Sequence, residues 1–220
     1  MELLHSDYFN QDPCTLAKSL LGKLICRKYR NIWLLAQIIE TEAYYRSDRG
    51  SHASLGYTEK RKALFMPAGT IYMYYARGKD SLNVSCQGEG NAVLIKSAYP
   101  FLKSENQTDD MISLMQHLNP SVSGETRPVH KLCCGQTLLC RSLSLKVTDW
   151  DQQNFRKKDF YFADHTYCPE KIIQTTRLGI PQGRDEHLPY RFIDYEFARY
   201  CTSNPLTKRG WIKGREYEII

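Results

Sequence analysis

Two apolar and aromatic runs, residues 24–29 and 32–40, are separated only by the polar pair Arg30-Asn31, and this constrains the fold more than any other feature. Runs rich in aliphatic and aromatic side chains around a two-residue polar break predict two strands joined by a tight turn. Just upstream, Asp12-Pro13 precedes Leu16, Ala17, Leu20 and Leu21. Asp12 serves as N-cap and Pro13 as first helical position of a short helix that Gly22 stops. Downstream, Thr58 is expected to cap a basic turn through Lys60, Arg61 and Lys62 that ends at Met66-Pro67, and strand signals resume at 70–75, 82–85 and 92–95. The connections between them are the polar turn Arg77-Gly78-Lys79-Asp80 and the glycine-rich Gly88-Glu89-Gly90-Asn91. Met111, Leu114, Met115 and Leu118 have helical spacing, a second helix is predicted within 137–145, and 119–127 is a loop. Strand-like pieces return at 160–162 and 190–193, while the last twenty residues carry no clear pattern. With no internal repeat, residues 1–220 are expected to form one domain.

Thirty basic residues against 24 acidic ones give a net charge of +6, which favours a polyanionic partner. No stretch approaches the ~20 apolar residues of a membrane span. Residues 1–11 carry Glu2, His5 and Asp7 where a signal peptide needs a basic and then an apolar segment, so the chain is expected to stay inside the cell. Its eight cysteines (14, 26, 86, 133, 134, 140, 168, 201) are then expected to be reduced. Cys133, Cys134 and Cys140 invite a metal- or redox-active reading, but no C-x-x-C pair exists and the spacing fits no ordinary zinc site. Small buried hydrophobes are the better account.

The run Glu40-Thr41-Glu42-Ala43-Tyr44 sits where the second apolar strand is expected to end and a polar loop with Asp48 and His52 to begin. Alternation places Glu40, Glu42 and Tyr44 on one side. Two carboxylates then compete for one environment, and the more buried one should have a raised pKa and serve as a general base. The competing reading is that both are solvated at a strand end.

Further segments decide between these. The runs Leu16-Ala17-Lys18-Ser19-Leu20-Leu21-Gly22, Ile39 to Tyr44, Pro67-Ala68-Gly69-Thr70-Ile71-Tyr72-Met73-Tyr74, Asn83-Val84-Ser85-Cys86-Gln87-Gly88-Glu89-Gly90 and Ala92-Val93-Leu94-Ile95 resemble the alkyladenine (3-methyladenine) DNA glycosylase family in order and separation. The match is close over 14–98. Lys131 to Gly135 with Leu139-Cys140, and Arg177-Leu178-Gly179-Ile180 to Pro189-Tyr190-Arg191-Phe192, resemble later segments of the family more weakly. The resemblance implies an α+β fold: a curved antiparallel β-sheet flanked by helices, with a protruding DNA-inserting β-hairpin around 70–86. It implies a monofunctional DNA N-glycosylase that flips alkylated or deaminated purines out of duplex DNA and hydrolyses the N-glycosidic bond with water as nucleophile. No cofactor or metal is implied, and by analogy the protein is a monomer. The implied localisation is the bacterial cytoplasm and nucleoid, or the nucleus of a eukaryote.

The same resemblance assigns Glu42 as the general base, with Glu40 its structural neighbour. It makes Tyr44, His52 and Tyr74 walls of the base pocket, and Asn83 the residue that obstructs the exocyclic amino group of normal guanine. An aromatic cage suits the cationic bases 3-methyladenine and 7-methylguanine; hypoxanthine and ethenoadenine are neutral candidates. Two DNA-binding positions depart from the family. Arg77 stands where animal relatives place a wedging tyrosine, in a turn one residue shorter, and Lys96 stands where they have an arginine. Gly135-Gln136-Thr137-Leu138 also lacks the family's Gly-Pro and following basic residue. The alternative function is a non-catalytic damaged-nucleic-acid-binding module of the same fold.

Overall fold

The computed structural model describes residues 2–102 and 105–220. Its strands are β1 (Glu2–Leu3), β2 (Leu24–Tyr29), β3 (Ile32–Tyr44), β4 (Ile71–Ala76), β5 (Lys79–Ser85), β6 (Ala92–Pro100), β7 (Phe160–Asp164), β8 (Ile172–Thr175), β9 (Arg191–Asp194) and β10 (Tyr217–Ile219). The helices are α1 (Pro13–Ser19), α2 (Glu105–Leu118), α3 (Gln136–Ser142) and α4 (Val147–Trp150). Every strand pair is antiparallel, in the order β1-β7-β2-β3-β6-β5-β4. β9 joins a side of β3, and β8 and β10 continue beyond it. This is an α+β fold built on one open sheet.

The local signals account for the short connections. Asp12 accepts hydrogen bonds from the Cys14 and Thr15 amides and caps α1. The β2–β3 and β4–β5 hairpins turn on Arg30-Asn31 and Arg77-Gly78, and all four residues have positive φ (48°, 64°, 50° and 76°), as a two-residue turn matched to strand twist requires. Gly22, at φ +84°, packs so closely that an added Cβ would lie 2.8 Å from the Tyr167 ring.

β3 organises the molecule. Its first half pairs with β2 up to Gln37; from Glu40 to Glu42 its neighbour is β9, while β6 lines its other edge from Ala36 to Tyr44. Register shifts around Glu40 bulge the β3–β6 ladder at the acidic motif. α1 is set against β3, β6 and β9, tied by the Thr41 hydroxyl donating to the Ala17 carbonyl at 2.8 Å; α3 lies against β5 and β6. The core fills from both, with Leu16, Leu20, Ile38, Val93, Ile95 and Leu139 fully buried.

The expected strand end at Glu40 is corrected: β3 runs through Tyr44, and Glu40 and Glu42 are both fully buried rather than solvated. Strand β6 likewise extends from the expected 92–95 to Pro100. The helix expected within 137–145 is α3, which begins one residue earlier at Gln136 and ends at Ser142, and a separate turn of helix, α4, follows it. Among the described residues, no helix is long and apolar enough to cross a membrane.

Candidate active site

A cleft of about 900 Å³ opens between the loop after β3, the β4–β5 hairpin, the start of α3 and residues 178–184. Tyr44, His52, Tyr74, Arg77, Asn83 and Lys96 all line it, although 52 positions of sequence separate the first from the last. Glu42 lies just under its surface, fully buried, among three groups that do line it. Its Oε2 accepts from the Tyr44 hydroxyl at 2.7 Å; its Oε1 accepts from the Leu178 amide at 3.2 Å and lies 3.2 Å from the Lys96 Nζ. Three donors thus reach a carboxylate able to accept about four.

Burial alone would push the Glu42 carboxyl up, as the alternation argument anticipated. Against it stand Lys96, Arg191, the Tyr44 hydroxyl and the Leu178 amide, and the net effect holds Glu42 below the ordinary glutamate value of 4.5. The expected raised pKa is therefore corrected. Glu42 is an ionised acceptor at neutral pH, because the same fold that removes water from it supplies two cations.

Tyr44 is held on both sides. Burial and the adjacent Glu42 charge push its hydroxyl well above the usual tyrosine value, so it remains a donor. The Arg177 guanidinium lies 4.6 Å from its ring centroid while Nη1 donates to the Ala43 carbonyl (3.0 Å) and Asp48 (2.9 Å). A buried carboxylate and a carbonyl thus fix the cation that backs the aromatic wall.

On the hairpin side, His52 packs edge-on to Tyr74 with centroids 4.3 Å apart, its Nδ1 lies 2.8 Å from the Tyr72 hydroxyl, and Tyr72 stacks on Tyr74 at 5.6 Å. The His52 ring keeps an exposed edge, yet burial of the remainder, with Arg61 and Arg184 nearby, pushes its imidazole below 6.5 and leaves it neutral at pH 7. Asn83 is buried, its amide donating to the Tyr72 carbonyl at 3.2 Å. Arg77 is exposed at the hairpin tip. Lys96, carried on β6 at the bulge, is drawn inward to Glu42 with only 12% of its side chain exposed, and is not an outward strand-end lysine.

Comparison with known proteins now bears on these residues. The model of the methylpurine-DNA glycosylase (MPG) family matches residues 7–197. The chain belongs to that family. A relative from Pseudomonas savastanoi pv. phaseolicola is 56% identical over 217 residues, which cover 99% of this chain and 96% of its own length. One from Pseudomonas aeruginosa strain UCBPP-PA14 is 54% identical over 219 residues (99% and 90%), and one from Clostridium beijerinckii 32% over 196 (86% and 94%). Each carries the name "Putative 3-methyladenine DNA glycosylase". The methylpurine-DNA glycosylase family membership makes this chain a DNA glycosylase, an enzyme whose substrate is DNA.

Several groups at this glycosylase's cleft escape a reading of the chain residue by residue. In sequence, Arg177 and Arg191 belong only to the weaker stretch of the resemblance, and the Leu178 amide has no side-chain signature. A buried arginine reads in sequence like any surface one. The signal that could have found them is their position beside apolar strand ends in the segments 177–180 and 189–192. Cys133 and Cys140 are buried thiols in the apolar core, and burial pushes the Cys133 thiol up to about 12.

Proposed function

We propose that the enzyme excises alkylated purines, 3-methyladenine and 7-methylguanine foremost, from duplex DNA by flipping the nucleotide into this cleft and hydrolysing its glycosidic bond with water activated by Glu42. The observation that carries the reading is a buried, ionised carboxylate directly beneath an aromatic cleft. Glu42 takes a proton from water as the water oxygen bonds to C1′ of the deoxyribose. The C1′–N bond breaks and its electron pair goes to the base, neutralising the positive charge that alkylation placed there. The free base leaves, and the sugar remains as an abasic site.

Tyr44, backed by Arg177, is one wall against the flipped base; His52 and Tyr74 form another. Aromatic faces attract a cationic base by about 0.5–2 kcal/mol beyond packing. Neutral His52 adds no opposing charge, so a cationic base keeps the advantage that the aromatic faces give it over neutral bases such as hypoxanthine. Asn83, anchored to the Tyr72 carbonyl, is a fixed obstruction to a normal guanine amino group. Arg77 at the hairpin tip enters the minor groove and fills the space of the flipped nucleotide, while Lys96 reaches the DNA backbone on binding. An enzyme of this kind works at chromosomal DNA, the nucleoid of a bacterial cell.

The test is to incubate the protein with duplex DNA bearing methylated purines, hypoxanthine or ethenoadenine, and to separate the released free bases. Release of 3-methyladenine and 7-methylguanine ahead of the neutral bases is expected. Release of neutral bases alone would overturn the cationic-base reading.

A further inference from the structure

Beneath the cleft, Arg191 and Glu40 form a buried cluster that the hydrolytic reading leaves without a task. Arg191 lies in β9 directly opposite Glu42 in β3. Its Nε and Nη2 both reach Glu40 Oε1 at 2.7 Å, and Nη2 also donates to the Thr202 hydroxyl at 3.0 Å and the Ser203 carbonyl at 2.9 Å. Glu40 is saturated as well: Oε1 accepts from the Thr202 hydroxyl, and Oε2 from the Ser97 hydroxyl and the Thr202 amide. Both side chains are fully buried.

Among the described residues, the buried Nη1 of Arg191 has no hydrogen-bond partner. The guanidinium is paired with Glu40 through its other nitrogens, and this end of it lies without a hydrogen bond in a poorly screened interior. The groups facing Glu42 are Lys96 from β6, Arg191 from β9, Tyr44 from its own strand and Tyr74 from β4, with Glu40 two residues back. The two cations differ in freedom. Lys96 is a flexible chain at the edge of the cleft, able to swing to a phosphate; Arg191 is fully buried and held through Nε and Nη2, and is not.

We propose that Arg191, held in place by Glu40, is a positioning residue: a fixed internal cation that keeps Glu42 in its proton-accepting form and leaves Lys96 free to contact DNA. The proposal rests on Glu42 being the general base. In its support, the Arg191 charge is among the effects that lower the Glu42 carboxyl. A strut for residues 202–203 would need the hydrogen bonds but not the charge, and this separates the two roles.

The experiment is single-turnover base release from methylated duplex across pH, with wild type, Arg191→Met, Arg191→Lys, Glu40→Gln/Arg191→Met and Glu42→Gln. Arg191→Met should move the acid limb upward by about one pH unit or more, with rates recovering at higher pH, and Arg191→Lys should return the limb toward wild type. Arg191→Met strands a buried carboxylate; if it fails to fold, the double variant carries the test, since it strands no charge and its limb should still lie above wild type. An unmoved limb, with only lower thermal stability or a uniformly lower rate, would overturn the positioning role while an inactive Glu42→Gln left the base assignment standing. Release by Glu42→Gln at the wild-type rate would overturn both.

Discussion

At the level of single residues, Glu42 stays charged while fully buried. The sign follows from the lowered pKa. The carboxyl is ionised above 4.5, its contribution to folding is present there, and both that contribution and its basicity are lost as pH falls through its folded-state value. Activity should therefore show no acid limb attributable to Glu42 between pH 5 and 8, since these lie above the 4.5 from which it is lowered. Lys96→Met removes one of the two cations facing Glu42 in the free enzyme, so the acid limb of kcat/KM should move toward neutrality; a kcat/KM profile identical to wild type would show that Lys96 does not act on Glu42. Tyr44→Phe keeps the ring against Arg177 but deletes the hydroxyl bound to Glu42. Tyr44→Ala deletes both, so steady-state kinetics should place its loss well above that of Tyr44→Phe, with an added weakening of damaged-DNA binding.

At the scale of elements, what could be read in advance was what is local. The Asp12 cap, the Arg30-Asn31 and Arg77-Gly78 turns, and the strands on either side declare themselves within a few residues, and they reappear as α1 and the β2–β3 and β4–β5 hairpins. Strands β1, β8 and β10 did not, being two to four residues long and existing only through partners far away in the chain: Glu2 with Asp164, Ile173 with Ile193, Tyr217 with Thr175. The same holds for the buried length of β3. Glu40 and Glu42 look like a solvated strand end until Ser97, Arg191 and Thr202, or Lys96 and Leu178, arrive to satisfy them. Alternation did gather Glu42 and Tyr44 beside each other, but the direction of the carboxyl shift needed charges from β6 and β9. Gly22→Ala forces a side chain at φ +84° into the Tyr167 ring and should lower Tm by several degrees in a thermal melt. Arg77→Ala, at an exposed tip, should leave Tm unchanged and weaken binding to damaged duplex; equal binding would remove the hairpin tip from the DNA interface.

For the whole molecule, the excess of six positive charges is modest, and its meaning lies in placement. Arg77, Lys79, Lys96 and Arg184 all line the cleft, so a duplex laid across it would displace counterions from its phosphates. Binding of damaged duplex should fall steeply with salt, with a log–log slope of about −0.9 per phosphate neutralised, and a salt-independent affinity in a titration series would rule out that surface. The central claim, that a buried ionised Glu42 performs the hydrolysis in a cleft that binds independently of it, is tested most directly by one comparison. Wild type and Glu42→Gln are given the same methylated duplex, with free bases separated and binding measured in parallel. The account predicts that Glu42→Gln loses base release by about 10²–10⁴-fold or more and keeps binding near wild type; release by the variant at the wild-type rate would contradict it.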